Sequence, residues 1–350
     1  MKNRLDVNSF NFPVDKIKAG YYADKYFLRA AEILTKDDYN PMVLMQVFQR
    51  SNARVCGLDE SIALLKTCAY NPENLKIYAL HDGDYVTPWE TVMTIEGNYR
   101  DFVHLETIYL GTLARQTRIC TNVDLAVKAA RGKSVLFFAA RYDHYAVQES
   151  DGYAARVGGI TAVSTDANGH LINLSGVGTM PHALIACYNK DTVAANLAFE
   201  KHISTDIDRV ALVDFDNDCV NTSIAVAKAL KGKLKAVRLD TSGTMVDKSM
   251  IEHMGMINPT GVVPQLVHNV RNALDREGFP EVKIMVSGGF NHNKIREFED
   301  AKVPVDTYAV GSSLLDGRAD FTADIVTVNG NPAAKSGRVY RPNPRMQRVL

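Results

Sequence analysis

Residues 209–218, RVALVDFDND, decide the fold. A short apolar run ends abruptly in carboxylates, and a stretch of helical character follows. The same order of parts recurs in KAVRLDTSG (235–243), KIMVSGGF (283–290) and VDTYAVGSS (305–313), and earlier in SVLFFAARYD (134–143). The polar groups that end the last four runs, Asp214, Asp240, Ser287 and Gly311, are spaced by 26, 47 and 24 residues, the middle interval being close to two units. One strand of about 5–6 residues, one helix of about 11–12 and two loops fill such a unit. Strand–helix alternation at that pitch predicts a parallel sheet, and the length available suffices for a closed α/β barrel. In such barrels chemistry gathers where the strands end. Those ends carry Arg141, Asp214, Asp216, Arg238, Asp240 and two Gly/Ser loops.

Working outward, residues 24–35 read as a helix and residues 101–121 as a longer one. Residues 75–96 read as extended, with a hairpin signal at Asp82-Gly83 and Pro88 marking a strand start or edge. At the far end, DIVTVNGNPAAKSGRV (324–339) reads as strand, Asn329-Gly330 turn, strand. It follows the last barrel signal and is expected to return to the first domain. The chain thus predicts a TIM-like α/β barrel over 116–317. A discontinuous N-terminal α/β sandwich domain is expected over 1–115, completed by 318–350.

Composition narrows the function. Forty basic residues balance forty acidic ones in 350, which argues against nucleic acid or a membrane surface as the main partner. A small anion needs only a local cluster of arginines. Five scattered cysteines without a C-x-x-C pair argue for reduced thiols and against a structural zinc. The start, MKNRLDVNSF, has no apolar core of a signal peptide, and no run of 18 apolar residues occurs, so a cytoplasmic location is expected.

Ser287, Gly288 and Gly289 follow one strand signal, and Gly311, Ser312 and Ser313 another. Glycines let backbone N–H groups approach an anion, and barrels often hold phosphate after their last two strands. Two tight turns would use the same residues. Asp214 and Asp240 suit ribose hydroxyls or Mg²⁺, held directly or through water, and Asp216 could equally cap a helix. Arg238 and Asp240, two apart on a strand, share a face and resemble a ligand clamp. In GVGTMPHALIACY (176–188), His182 is placed at a helix start, where the dipole keeps imidazole neutral and would favour a phosphate on the ring. Arg115, Arg118 and Arg141 sit in apolar surroundings, either as anion ligands or as ion-paired side chains. The arginines at 338, 341, 345 and 348 read as a solvated or interface tail.

Together these phrases resemble the nicotinate phosphoribosyltransferases, of the type II phosphoribosyltransferase group that includes the quinolinate enzymes. ADKYFLR (23–29) resembles the family's N-terminal Asp-x-Tyr segment and HLETIYLGTLARQTRICTN (104–122) its connecting helix; GTMPHALIA (178–186), ALVDFD (211–216), VRLDTSGT (237–244), VSGGFN (286–291) and YAVGSS (308–313) match in order and spacing, and TADIVTVNGNPAAKSGR (322–338) resembles the return strands. The chain differs from many members in being short, and in reading VRLDTSGT where many have Ser-Gly-Asp after the aspartate. The resemblance implies transfer of phosphoribose from phosphoribosyl pyrophosphate to nicotinate, with Mg²⁺, and with ATP as co-substrate phosphorylating His182. It implies that Tyr26 stacks on the pyridine in a neighbour's site across a dimer. Thr179, Arg141 and Arg238 would meet substrate, and Asp214 and Asp240 would lie at the ribose or Mg²⁺. Ser287, Gly288, Gly289, Gly311 and Ser312 would hold the 5′-phosphate. Quinolinate or nicotinamide as the pyridine stands as the alternative. From other classes come a phosphate-binding barrel lyase or isomerase, for which the strand ends offer no lysine, and a non-catalytic nucleotide sensor.

Overall fold

The computed structural model describes residues 4–350; the first three residues of the start read above lie outside them. The chain divides into two compact units. One unit runs to Thr121 and adds Ala154–Gly158 and Asp316–Leu350; the other holds Asn122–Tyr153 and Gly159–Leu315.

The first unit begins with helix α1 (Lys25–Lys36), strand β1 (Met42–Gln49), helix α2 (Leu58–Cys68), and strands β2 (Lys76–Ala79) and β3 (Thr91–Asn98). Helix α3 (Glu106–Ala129) then carries the chain into the second unit. The hairpin expected at Asp82-Gly83 is a longer connection. Tyr85–Val86 turns aside to pair with Ala53–Arg54, and the Asp82 carboxylate accepts from the backbone N–H groups of Leu58 and Asp59. Asp82 therefore caps α2, whose own N-cap, Gly57, has no side chain to do so. Leu58, Ile62 and Leu65 of α2 pack with Val47, Ile77 and Ile95 of the strands as one buried cluster.

The second unit repeats strand and helix: β4 (Ser134–Phe137), α4 (Gln148–Gly158, its last five residues counted with the first unit), β5 (Ala162–Val163), α5 (His182–Cys187), α6 (Thr192–His202), β6 (Arg209–Leu212) and α7 (Cys219–Leu230). It continues with β7 (Leu234–Leu239), α8 (Pro264–Arg276), β8 (Lys283–Val286), α9 (His292–Asp300) and β9 (Thr307–Val310). All pairs are parallel, in the order β5-β4-β9-β8-β7-β6. Pairing of the last strand, β9, with the first, β4, curls the six-stranded sheet into a TIM-like half-barrel. The ring stays open between β5 and β6, so the closed barrel expected from length has a seam. Leu136, Met285 and Ala309 fill its interior.

The chain's last strands, β10 (Phe321–Val328), β11 (Asn331–Pro332) and β12 (Gln347–Arg348), join the first sheet in the order β11-β10-β1-β3-β2-β12. Asn329 and Gly330 both have positive φ, 49° and 80°, as a tight hairpin turn demands. In the tail beyond, Arg338 pairs with Asp324 at 3.3 Å and Arg345 with Glu90 at 2.7 Å, while Arg341 and Arg348 are exposed. Among the described residues, no helix is long and apolar enough to cross a membrane.

Candidate active site

An open cavity of about 490 Å³ lies in the second unit, lined by the residues that follow its strands. Arg141, Arg238, Asp240, Ser287, Gly288, Gly289, Gly311 and Ser312 all line it. Short parallel strands explain the convergence: each stops after two to six residues, and residues that follow β4, β5, β7, β8 and β9 reach the same rim.

Two of the loops are built for close approach. Gly288 and Gly289 have φ of 80° and 72°, a left-handed backbone that side chains rarely adopt. A Cβ at Gly288 would stand 3.2 Å from the Asp240 carbonyl oxygen and 3.3 Å from its carboxylate. A Cβ at Gly311 would stand 2.8 Å from the Tyr142 ring. Ser313 Oγ donates to the Phe290 carbonyl at 2.7 Å, tying the loop after β9 to the loop after β8.

A polar chain crosses the floor of the site. Ser287 Oγ donates to Asp240 Oδ1 at 2.7 Å, and Asp240 Oδ2 lies 3.7 Å from Arg238 Nη2. Arg238 Nη1 donates to Thr179 Oγ1 at 2.9 Å. Its Nε is buried with no partner, and burial draws its pKa below the usual arginine range, with Asp240 and Asp214 opposing that fall. An arginine so desolvated, with a donor left over at a cavity wall, is prepared for an anion.

Thr179 is three residues before His182, whose Nε2 lies 3.1 Å from both oxygens of Asp214. Asp214 is only 7% exposed, and burial raises its pKa, with His182 pulling it down and Asp240 pushing it further up. His182 opens α5, as expected, and Pro181 sits at the N-cap in extended conformation. With Nε2 against the carboxylate, Nδ1 is the nitrogen left over.

Thr179, His182 and Asp214 are not among the residues that line the cavity, and neither are the remaining expected ones. Tyr26 lies on α1 in the first unit, 61% exposed, beside the Phe27 ring. Arg115 and Arg118 lie on α3 and do not line the cavity; Arg118 donates to the Gly317 carbonyl. Asp216 is exposed, and Asp218 is the residue that caps α7. Sequence reading missed Tyr142, Gln148, Ser164 and Thr165 in the lining. The last two follow β5, a two-residue strand too short to leave an apolar run. Among the described residues, no three His, Cys, Asp or Glu side chains converge as metal ligands. Asp214 and Asp240 are near enough to perturb each other, and such a pair fits an ion that takes its remaining ligands from water and phosphate.

Residues 24–117 match the family model described as quinolinate phosphoribosyl transferase, N-terminal domain, and residues 119–319 match that of its C-terminal domain. A nicotinate phosphoribosyltransferase of Mycobacterium tuberculosis is 26% identical over 273 residues, 75% of this chain and 56% of that protein. One of Bacillus subtilis is 28% identical over 245 residues, 68% of this chain and 45% of that protein. The chain thus spans about half the length of the curated relatives it matches. The crystal structure of nicotinate-nucleotide pyrophosphorylase from Pyrococcus furiosus superposes with a TM-score of 0.82 at 33% identity, covering 97% of this chain and 85% of that one.

Proposed function

This chain belongs to the quinolinate phosphoribosyl transferase family, and on that premise we propose that it makes nicotinate mononucleotide and pyrophosphate from nicotinate and phosphoribosyl pyrophosphate, in the salvage of pyridine nucleotides. The observation that carries this reading is the cavity rim, where two glycine-bearing loops face a desolvated arginine clamped between Thr179 and Asp240. The loops supply backbone N–H groups for the 5′-phosphate, and Arg141 and Arg238 supply charge for carboxylate and pyrophosphate. The nicotinate named for the two curated relatives supports the choice of pyridine. So does the rim, which offers two cations, Arg141 and Arg238; quinolinate would bring an extra carboxylate needing more.

The pyridine nitrogen carries its own lone pair, so no general base is needed. It attacks the anomeric carbon as the bond to pyrophosphate breaks, with positive charge spreading over the ribose. Asp240 lines the cavity where that charge would develop, and Ser287 and Arg238 fix its carboxylate. Asp214 and Asp240 would hold Mg²⁺, which neutralises the leaving group when bound. ATP enters as co-substrate: His182 Nδ1 would take the γ-phosphoryl group and release ADP, and later hydrolysis would drive nucleotide formation. Asp214 supports this by holding Nε2 and stabilising the charged ring. A homodimer is proposed, with the exposed Tyr26 of one copy completing another copy's site. The reaction is placed in the cytoplasm, in keeping with five free cysteines.

Pyrophosphate release with nicotinate, nicotinamide or quinolinate, each with and without ATP, tests the reading. Selective turnover of nicotinate is expected, with ATP stimulation lost in His182→Ala. Turnover of quinolinate alone would overturn the substrate, and equal stimulation in His182→Ala the phosphohistidine. Specific activity should fall on dilution through the dimer's dissociation; activity held by the monomer would remove Tyr26 from the site.

A further inference from the structure

Trp89 is the chain's one tryptophan, and it occupies a position built for glycine. Pro88 precedes it, the Glu90 N–H donates to the Thr87 carbonyl at 3.2 Å, and Trp89 has φ of 69°. That is the third residue of a type II turn, where a bulky side chain is strained. The ring is held by what surrounds it. Phe48 stacks on it at 5.3 Å, and three guanidiniums face it: Arg50 at 5.4 Å, Arg338 at 5.1 Å and Arg341 at 5.4 Å from its centroid.

Three cations around one ring repel one another, and little nearby neutralises them. Asp324 reaches Arg338. Glu90, next in sequence to Trp89, is already taken by Arg345, Asn343 and Thr87. Arg50 and Arg341 are exposed and make no ion pair or side-chain hydrogen bond among the described residues. The cluster is nonetheless fixed in place. Gln46, buried in β1, donates to the Val339 carbonyl at 2.9 Å and accepts from the Arg341 N–H at 3.0 Å, so the tail's backbone is clamped across the sheet. Asn343 donates to the Thr91 carbonyl at 2.8 Å and extends the clamp. A ligand meeting Arg341 would find the backbone that carries it already ordered.

We propose that Arg50, Arg338 and Arg341 around Trp89 form a surface site for a phosphoryl anion of the pyrophosphate or nucleoside triphosphate class, separate from the catalytic cavity. A polyphosphate carries enough charge and enough oxygens to bridge several planar forks, which a single carboxylate does not. The crevice beside the indole encloses only about 10 Å³, so no base or pyridine inserts there. Recognition rests on the phosphates. Every residue of the site belongs to the first unit, whereas every residue lining the catalytic cavity belongs to the second.

Because Trp89 is the sole tryptophan, its fluorescence reports the site in the full chain. Inorganic pyrophosphate, tripolyphosphate and ATP, each without added metal, are titrated against sodium chloride of matched ionic strength. A saturable change with the polyphosphates alone is expected, weakened at least tenfold in Arg50→Gln and in Arg341→Gln, and less in Arg341→Lys. ATP binding no tighter than tripolyphosphate is expected, because recognition rests on the phosphates; ATP binding tenfold tighter or more would overturn that basis. The proposal fails if chloride produces the same change. It also fails if the response survives both glutamine variants and disappears in Arg238→Gln, which would place the anion in the catalytic cavity. Arg50 is exposed and lies just past the end of β1, so Arg50→Gln decides the matter even if Arg341→Gln folds poorly.

Discussion

Asp214 answers to two opposed influences, and the balance is measurable. Burial raises its pKa while the His182 ring favours its ionised form. A carboxyl whose folded pKa is raised stabilises the protein below its unfolded value, about 3.9, and loses that contribution as pH climbs through the folded value. At neutral pH the ionised group is therefore a cost to folding that function retains. Asp214→Asn should melt higher than the parent at pH 7, with the gap closing toward pH ~4, while ATP-stimulated turnover falls on the order of 10²-fold. A variant that melts lower at pH 7 would show that the His182 contact outweighs burial. Glu106, in the first turn of α3, obeys the same sign: burial, then Asp324 and Asp24, push its pKa up to about 7. Stability should decline between about pH 4.3 and pH 7, and Glu106→Gln should flatten that slope and gain about 1–2 kcal/mol at pH 8, some screening by solvent included. Urea midpoints at pH 5 and pH 8 check it. Neither pairing was legible in the sequence. His182 and Asp214 are 32 residues apart and Glu106 and Asp324 far more, so nothing local announces the contact.

The loops after β7 to β9 were legible, because each is an apolar run stopped by a polar or glycine residue. What spacing cannot tell is how tightly a glycine is needed. Gly288 and Gly289 are adjacent and share the left-handed backbone, yet a Cβ at Gly288 meets the Asp240 oxygens whereas one at Gly289 meets nothing within 4 Å. Alanine at either position carries the conformational cost, about 1 kcal/mol. At Gly288 it also pushes on the carboxylate that Ser287 and Arg238 hold. Gly288→Ala should therefore raise KM for phosphoribosyl pyrophosphate about tenfold or more, while Gly289→Ala costs mainly stability, which initial rates and thermal melts on the two variants distinguish. If both variants changed KM alike, the backbone conformation alone would govern phosphate binding. The strand β5 escaped sequence reading for the opposite reason: two residues carry no periodicity, and Thr165 enters the site from a segment that reads as loop.

At the scale of the molecule, the first sheet is assembled from chain ends almost 300 residues apart. Its central strand, β1, lies between β3 and β10, with Val43 opposite Val328 and Gln49 opposite Phe321 along the second of these pairings. The alternation and the Asn329-Gly330 turn made β10 visible as a strand, but its partner is set by tertiary packing that no local pattern encodes. Without β10, β1 becomes an edge: its backbone loses one row of hydrogen bonds, and Val43, Met45 and Val47, all nearly fully buried, lose cover. Gln46 loses the tail carbonyl and N–H that satisfy its amide inside the sheet. Such a long-range pairing also forms late, because the loop it closes contains the entire second unit. A chain ended at Gly317 should accordingly yield little soluble protein, and any that is soluble should exchange its β1 amides rapidly with deuterium. Supplying residues 318–350 as a separate peptide should restore protection at β1, since the peptide brings the missing strand and the Gln46 clamp together. Protected β1 amides in the shortened chain alone would mean that β3 and the α2 face suffice, and that the returning strand serves the Trp89 cluster rather than the fold.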